Sequence, residues 1–291
     1  MTEIARIIQS HGKSFLVELD SGRRYKATAR SKKTDLAVGD RVEVGVLNEE
    51  QAVIERVTPR QSLLYRSDEW REKLIAANVT QIIVVLAAVP SFYEELLSRC
   101  TVAAEDADIR ILILLNKADL PETAAARKAL APYQALGYPM LELSAKESVE
   151  ALWPYLQGQT SVFVGQSGMG KSTLVNALLP EAQARTREIS EALDSGKHTT
   201  THATLYKLPQ GGELIDSPGL QEFGLRHLPA DRLISLFPEL RQYAGQCRFQ
   251  NCRHDREPGC ALIAAAEAGE ILPQRLQLLR KLQLECKKST H

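Results

Sequence analysis

Gly165-Gln166-Ser167-Gly168-Met169-Gly170-Lys171-Ser172 reads G-x-x-x-x-G-K-S, the phosphate-binding loop. The run before it, Thr160-Ser161-Val162-Phe163-Val164, reads as a short buried strand. The run after it, Thr173-Leu174-Val175-Asn176-Ala177-Leu178-Leu179, has helical spacing and stops at Pro180. A loop between strand and helix is the context this motif requires. Its glycines let the backbone approach a phosphate closely, and the loop N–H groups and the helix N-terminus favour negative charge. Lys171 is expected to reach the β- and γ-phosphates and Ser172 to place its hydroxyl on Mg²⁺. The phosphate site predicted here runs from Gly165 through Ser172 and includes Thr173.

Upstream, Thr80 to Val89 is a continuous apolar run that ends at Pro90, as for a strand buried on both faces of a parallel sheet. Phe92 to Ala107 is helical in pattern, with Cys100 inside it as a core residue, and Ile109 to Leu115 is the next strand. That strand ends in Asn116-Lys117-Ala118-Asp119. An N-K-x-D at a strand's carboxyl end reads guanine. Asn116 faces the N7/O6 side, and the Asp119 carboxylate accepts from N1–H and the exocyclic amine. Adenine lacks that donor pair and would leave the carboxylate unpaired. Met140-Leu141-Glu142-Leu143 then leads to Ser144-Ala145-Lys146, which looks like the base loop that accompanies N-K-x-D in GTPases. Downstream, Gly196-Lys197-His198-Thr199-Thr200-Thr201 reads as a switch loop. One of Thr199, Thr200 and Thr201 would complete the Mg²⁺ shell. The pair Thr204–Leu208 and Gly212–Ile215 reads as a hairpin that delivers Asp216-Ser217-Pro218-Gly219. A D-x-P-G there brings Asp216 to Mg²⁺ and the Gly219 N–H to the γ-phosphate.

The order of these motifs is unusual. The guanine reader and base loop precede the phosphate loop, the switch threonines and D-x-P-G, whereas an ordinary small GTPase begins with the phosphate loop. One sheet accommodates both orders if the old termini are joined and new ones opened, since domain termini often lie close together. The expectation is a central α/β, circularly permuted P-loop GTPase domain over residues 62–225.

Residues 1–58 hold five short alternating runs separated by Gly, Asp, Ser and Asn, as for an all-β barrel of the OB-fold type. Arg23, Arg24, Lys26, Arg30, Lys32 and Lys33 lie together around Tyr25 with no acidic residue among them. Two readings stay open: an RNA-backbone patch with Tyr25 as a stacking ring, or a solvated barrel face. A polar linker is expected from Pro59 to about Lys73.

Residues 226–291 are expected to form a zinc-binding domain with helices. Cys247-x₄-Cys252-x-His254-x₅-Cys260 supplies three thiolates and an imidazole, suited to one structural Zn²⁺. Arg248, Arg253 and Arg256 interleave the ligands. Ala261–Gly269 reads as a helix and Pro273 starts another, whose Leu276, Leu279 and Leu282 read as core. Cys100 and Cys286 stand apart from the cluster.

Across 291 residues the formal net charge is zero, so nucleic-acid contact must come from local patches. No apolar run reaches membrane-span length and the N-terminus lacks a signal-peptide core, so a cytoplasmic protein is expected.

Together the Gly165–Ser172 loop, Lys197-His198-Thr199-Thr200-Thr201 and the Cys-x₄-Cys-x-His-x₅-Cys knuckle resemble the bacterial ribosome small-subunit-dependent GTPase A family. The resemblance covers nearly the whole chain. It implies a GTPase using GTP and Mg²⁺ that binds the 30S ribosomal subunit and 16S rRNA in late small-subunit maturation. The subunit would stimulate hydrolysis. Other assembly factors as partners, a monomer and no membrane are further expectations. The family commonly has Arg where Lys197 stands. Leu220 follows the D-x-P-G glycine, where Ras-like enzymes carry a water-orienting Gln, so slow intrinsic turnover is expected. The expected catalytic residues are Lys171, Thr200 and His198. His198 either orients the attacking water when the ribosome engages the loop or is an ordinary exposed histidine. The competing functions are a nucleotide-gated RNA-binding module in which hydrolysis only resets binding, and an ATPase with a chance N-K-x-D.

Overall fold

Strands β1 (Thr2–His11), β2 (Ser14–Leu19), β3 (Arg24–Ala29), β4 (Arg41–Val46) and β5 (Gln51–Val57) alternate buried and exposed residues, and the buried face closes on itself. β1 pairs with both β2 and β4, and β3 runs parallel to β5, so the barrel order is 1-2-3-5-4-1. Ile7, Val17, Ala27, Val42 and Val44 fill its interior. This is the expected small barrel. The computed structural model describes residues 2–12, 14–30, 35–67, 72–180, 203–217 and 225–288.

The expected linker is instead a second hairpin, β6 (Leu63–Ser67) and β7 (Glu72–Ala77). It docks on the barrel, where the Ala77 N–H reaches the Val38 carbonyl at 2.9 Å and Ala76 bridges Val38. The two alternating runs are short and separated by charge, so their pairing shows only once the barrel gives them a surface.

The central sheet has the order β10-β9-β8-β11-β13-β12. Its strands are β8 (Gln81–Ala87), β9 (Arg110–Asn116), β10 (Met140–Leu143), β11 (Thr160–Val164), β12 (Thr204–Lys207) and β13 (Glu213–Asp216). All neighbours are parallel except β12, which is antiparallel to β13. Every residue of β8 and β11 is buried, as two-sided coverage requires. Alternate residues of β8 serve different cores. Ile82, Val84 and Leu86 meet α1 (Glu94–Ala107), α2 (Thr123–Ala135) and the C-terminal region, whereas Ile83 and Val85 meet α3 (Trp153–Leu156) and α4 (Lys171–Leu178). Cys100 lies in the first core, fully buried.

Two helices follow, α5 (Ala261–Glu267) and α6 (Pro273–Lys288). Leu276, Leu279 and Leu282 are buried against the first core, as the spacing predicts. Among the described residues no helix is long and apolar enough to cross a membrane.

Candidate functional site

The carboxyl ends of β11, β9, β10 and β13 bring the motifs to one edge of the sheet. β11 delivers Gly165, where a β-carbon would lie 2.2 Å from the Val85 carbonyl oxygen, so the close approach demands glycine. Gly170 opens α4 at φ 94°, and a β-carbon there would lie 2.2 Å from Asn116 Nδ2. Met169 is fully buried and anchors the loop, while Ser172 and Thr173 are exposed on the first helical turn. Lys171 Nζ donates to the carbonyls of Gly165 and Gln166, the latter at 2.7 Å. Burial lowers its pKa, and Asp216 opposes that effect. Burial likewise raises Asp216, opposed by Lys171. An ammonium from the first residue of α4 and a carboxylate from the end of β13 therefore face the same space.

Asn116 ties three motifs together. It is 2% exposed, its Oδ1 accepts the Ala145 N–H at 3.0 Å and its Nδ2 donates to the Met169 carbonyl at 2.9 Å. The predicted base reader is thus also a strut, with one amide hydrogen left over. Lys117 sits at φ 61°, and its carbonyl accepts from Thr123 Oγ1 at 3.1 Å and the Leu120 N–H at 3.0 Å. Its ammonium donates to the Val89 carbonyl at 2.7 Å. Ala118 donates to the Leu143 carbonyl at 3.1 Å. Asp119 is exposed, and the nearby Ser144 hydroxyl, followed by backbone N–H donation, holds its carboxyl below the ordinary range. Ser144 Oγ approaches Asp119 without reaching hydrogen-bonding geometry, so this buried hydroxyl has no partner among the described residues. An ionised carboxylate beside an unpaired hydroxyl fits a base edge that both donates and accepts.

Two supports had no part in the sequence reading. Gln166 Oε1 accepts the Tyr93 N–H at 2.8 Å and ties the phosphate loop to the start of α1. Thr123 fixes the left-handed Lys117, and its only sequence signal is a threonine at the first residue of α2. His198, Thr199, Thr200, Thr201 and Gly219 lie outside the described residues.

The knuckle residues also converge. One ligand atom from each of Cys247, Cys252, His254 and Cys260 lies within 4.8 Å of all the others. His254 Nδ1 is 3.5 Å from the sulfurs of Cys247 and Cys260, and those sulfurs are 3.9 Å apart. The separations among Cys247, His254 and Cys260 match one face of a tetrahedron around an ion with metal–ligand distances of about 2.0–2.3 Å, with Cys252 close enough to be the fourth donor. Burial first, and then the neighbouring thiols, push the Cys252 thiol up to about 12. Thiolates this crowded are stable only around a cation. The donor set and spacing are compatible with zinc.

The barrel's basic segment differs from the expectation in one respect. Tyr25 is 3% exposed and belongs to the barrel core, with the Arg23 guanidinium 5.2 Å from its ring centre. It offers no face to a base. Arg24 pairs with Glu18 and Arg30 with Glu55, while Arg23 and Lys26 are exposed. Lys32 and Lys33 lie outside the described residues.

The sequence model of the RsgA GTPase family matches residues 57–226. A relative from Neisseria meningitidis serogroup C, the small ribosomal subunit biogenesis GTPase RsgA, is 56% identical over 280 residues, covering 96% of this chain and 91% of that one. The crystal structure of YjeQ from Thermotoga maritima superposes with a TM-score of 0.75 at 29% identity, covering 98% of this chain and 99% of the other. YloQ, described as a circularly permuted GTPase, superposes at 0.72 with 27% identity over 99% of this chain and 96% of its own. With its N-K-x-D, S-A-K and G-x-x-x-x-G-K-S segments brought in that permuted order to one sheet edge, this chain belongs to the RsgA GTPase family and is a GTP hydrolase.

Proposed function

We propose that the chain is a GTPase of small-subunit maturation that binds the 30S subunit and 16S rRNA and hydrolyses GTP when the subunit engages it. The supporting observation is the Asn116 strut, which makes base recognition and phosphate binding one rigid site. Asp119 and Ser144 take the guanine edge, with Lys117, Ala118 and Ala145 framing it. Residues Gly165 to Thr173 wrap the phosphates. Lys171 leaves the carbonyls of Gly165 and Gln166 for the β- and γ-phosphate oxygens, and its buried charge favours that move. Ser172, Asp216 and a switch threonine, Thr200 among Thr199–Thr201, would hold Mg²⁺. When bound, Mg²⁺ neutralises charge that develops on the phosphate oxygens. Gly219 donates its N–H to the γ-phosphate. Because position 220 is leucine, His198 is the group that orients water.

The barrel of residues 1–58 and the zinc domain of residues 226–291 flank the GTPase domain of residues 62–225 as RNA-binding arms. The barrel contributes exposed Arg23 and Lys26, and the knuckle contributes exposed Arg253, Arg256 and Arg248, whose guanidinium lies 5.5 Å from the ring centre of Phe249. The zinc domain holds one structural Zn²⁺ through Cys247, Cys252, His254 and Cys260. The protein works as a cytoplasmic monomer.

An Asp119→Asn variant tests the nucleotide assignment, since preference should move from guanine to xanthine nucleotides. An unchanged preference would return the site to the ATPase reading. His198→Ala should lose the subunit-stimulated rate while keeping GTP binding, and near-wild-type stimulation would remove His198 from the mechanism.

One observation favours nucleotide gating as a second reading. Thr204 pairs with Asp216 on one side and with Gln9 of the barrel on the other. Equal 30S binding with GDP, a non-hydrolysable GTP analogue and no nucleotide would count against it.

A further inference from the structure

The histidine of the knuckle sits on a turn that belongs to no helix or strand. His254 has φ 60°, a left-handed conformation that a residue with a β-carbon holds only when its surroundings over-determine it. Two side chains supply that determination. Glu257 turns its carboxylate into the turn and accepts three backbone N–H groups: Arg253 on Oε1 at 3.0 Å, and Asp255 and Arg256 on Oε2 at 2.9 and 3.1 Å. Arg280, on α6, approaches from the other side. Its Nε donates to the His254 carbonyl, and its Nη2 donates to the Asp255 carbonyl at 3.3 Å. Neither residue is a ligand, and neither lies at the nucleotide site.

We propose that Glu257 and Arg280 are the positioning residues of the metal site, fixing residues 253–257 so that His254 Nδ1 meets the three cysteine sulfurs. The inference rests on the zinc reading above. Converging N–H groups form a concavity that attracts an anion, and here the chain supplies that anion itself. The length and charge of Glu257 both matter. Aspartate is one methylene short of the three donors, and glutamine presents an NH₂ to at least one of them. Arg280 adds a second consequence. Its helix also carries Arg275, which meets Glu239 and Thr101, and Glu285, which meets Arg99 of α1. The metal turn is thereby referenced to the GTPase domain through one rigid helix rather than through the loop on either side of it.

The test uses the full chain. Zinc content of the wild-type protein comes first, because a chain without zinc removes the zinc reading and with it the basis of this inference. With zinc present, Glu257→Gln and Arg280→Lys should each weaken zinc roughly 10- to 100-fold in competition with a chromophoric chelator, the usual effect of losing a group that orients a ligand. Substitution with Co²⁺ gives the discriminating readout. The wild type should show the d–d bands of a tetrahedral S₃N site, and Glu257→Gln should show altered bands as the imidazole is displaced. Guanine-nucleotide affinity should stay at the wild-type value in both variants. Zinc affinity within about twofold of wild type in both, with an unchanged Co²⁺ spectrum, would overturn the proposal. So would loss of nucleotide binding in step with zinc in both variants, since the effect would then be global. If Glu257→Gln alone fails to fold, Arg280→Lys decides by the same measurements.

Discussion

The GTPase domain is held from two sides, and the two joints are built differently. On the C-terminal side Arg275 has no exposed side-chain surface and Glu239 is 9% exposed. The guanidinium meets both carboxylate oxygens and Thr101 Oγ1, and lies 4.6 Å from the Phe237 ring centre and 5.8 Å from that of Tyr133. Leu279, Leu282, Leu97 and Leu240 belong to one apolar core with Phe237 and Tyr133. On the barrel side a single residue pair, Gln9 with Thr204, joins β1 to β12. Arg6 bridges to Glu213 at 2.6 Å and to Thr160 Oγ1 at 3.2 Å, and Lys207 pairs with Glu18. A cavity of about 110 Å³ remains between them, lined partly by Arg6, Arg41, Leu205 and Lys207. The first joint has a dry, over-determined centre, with part-exposed ion pairs such as Arg99–Glu285 and Lys281–Glu95 at its rim. The second is polar, water-accessible and adjacent to the strand that carries Asp216. A dry joint transmits orientation rigidly, whereas a wet one can change its contacts at small cost.

The largest expected effect is at the dry joint. Glu239→Ala leaves Arg275 charged and buried without its carboxylate, a loss of roughly 3–5 kcal/mol. Thermal or urea unfolding measures it, and a loss below about 1 kcal/mol would show that water reaches the guanidinium. Replacing both residues by methionine should recover most of the stability, because the pair itself is close to neutral against an apolar filling.

A smaller effect is expected at the barrel joint. Glu213→Ala removes the ion pair to Arg6, whose Nε is already buried without a partner among the described residues. About 1–3 kcal/mol should go, since a part-buried donor loses its acceptor. The more telling measurement is hydrogen exchange. Faster exchange should appear at the β1–β12 junction and leave α6 unchanged. Equal acceleration at both joints would dissolve the distinction between them.

The two joints were unequally legible in the sequence. The phosphate loop and N-K-x-D declared themselves because backbone chemistry demands their residues: Gly170 must clear Asn116, and Gly165 must clear Val85. The dry joint left a quieter signal. Arg275 stands on the stripe of Leu279 and Leu282 at i, i+4 and i+7, a charge on an apolar face, which implies a buried partner. Its partner Glu239 lies 36 residues away on an irregular segment, and no local pattern points there. Tyr25 was readable too. The alternation of β3 puts Tyr25 and Ala27 on the face opposite Arg24 and Lys26, so a core ring follows from period two. The Glu257 turn and the β6–β7 hairpin had no comparable signal. Each depends on a tertiary surface, α6 for the turn and the barrel for the hairpin, that exists only after folding.

The smallest expected effect is at the rim of the wet joint. Lys207 is 65% exposed, so Lys207→Ala should cost at most about 1 kcal/mol, and salt should reduce that further. Its partner Glu18 is 7% exposed and keeps Arg24 at 2.7 Å. Burial alone would raise the Glu18 pKa, but hydrogen bonds from Lys207 and Arg24 outweigh it and leave the group below its ordinary 4.5. A carboxyl lowered in the folded state stabilises the fold above its unfolded value, and that contribution is lost as pH falls through the folded value. Stability of the wild type should therefore decline below about pH 4.5 partly through Glu18. Lys207→Ala should move the folded-state pKa of Glu18 back towards 4.5, so its share of the decline narrows while stability at neutral pH barely changes. The dry joint predicts no such dependence on Lys207. A variant with the wild-type acid profile would mean that Arg24 alone holds Glu18, and that Lys207 joins β12 to the barrel only in outline.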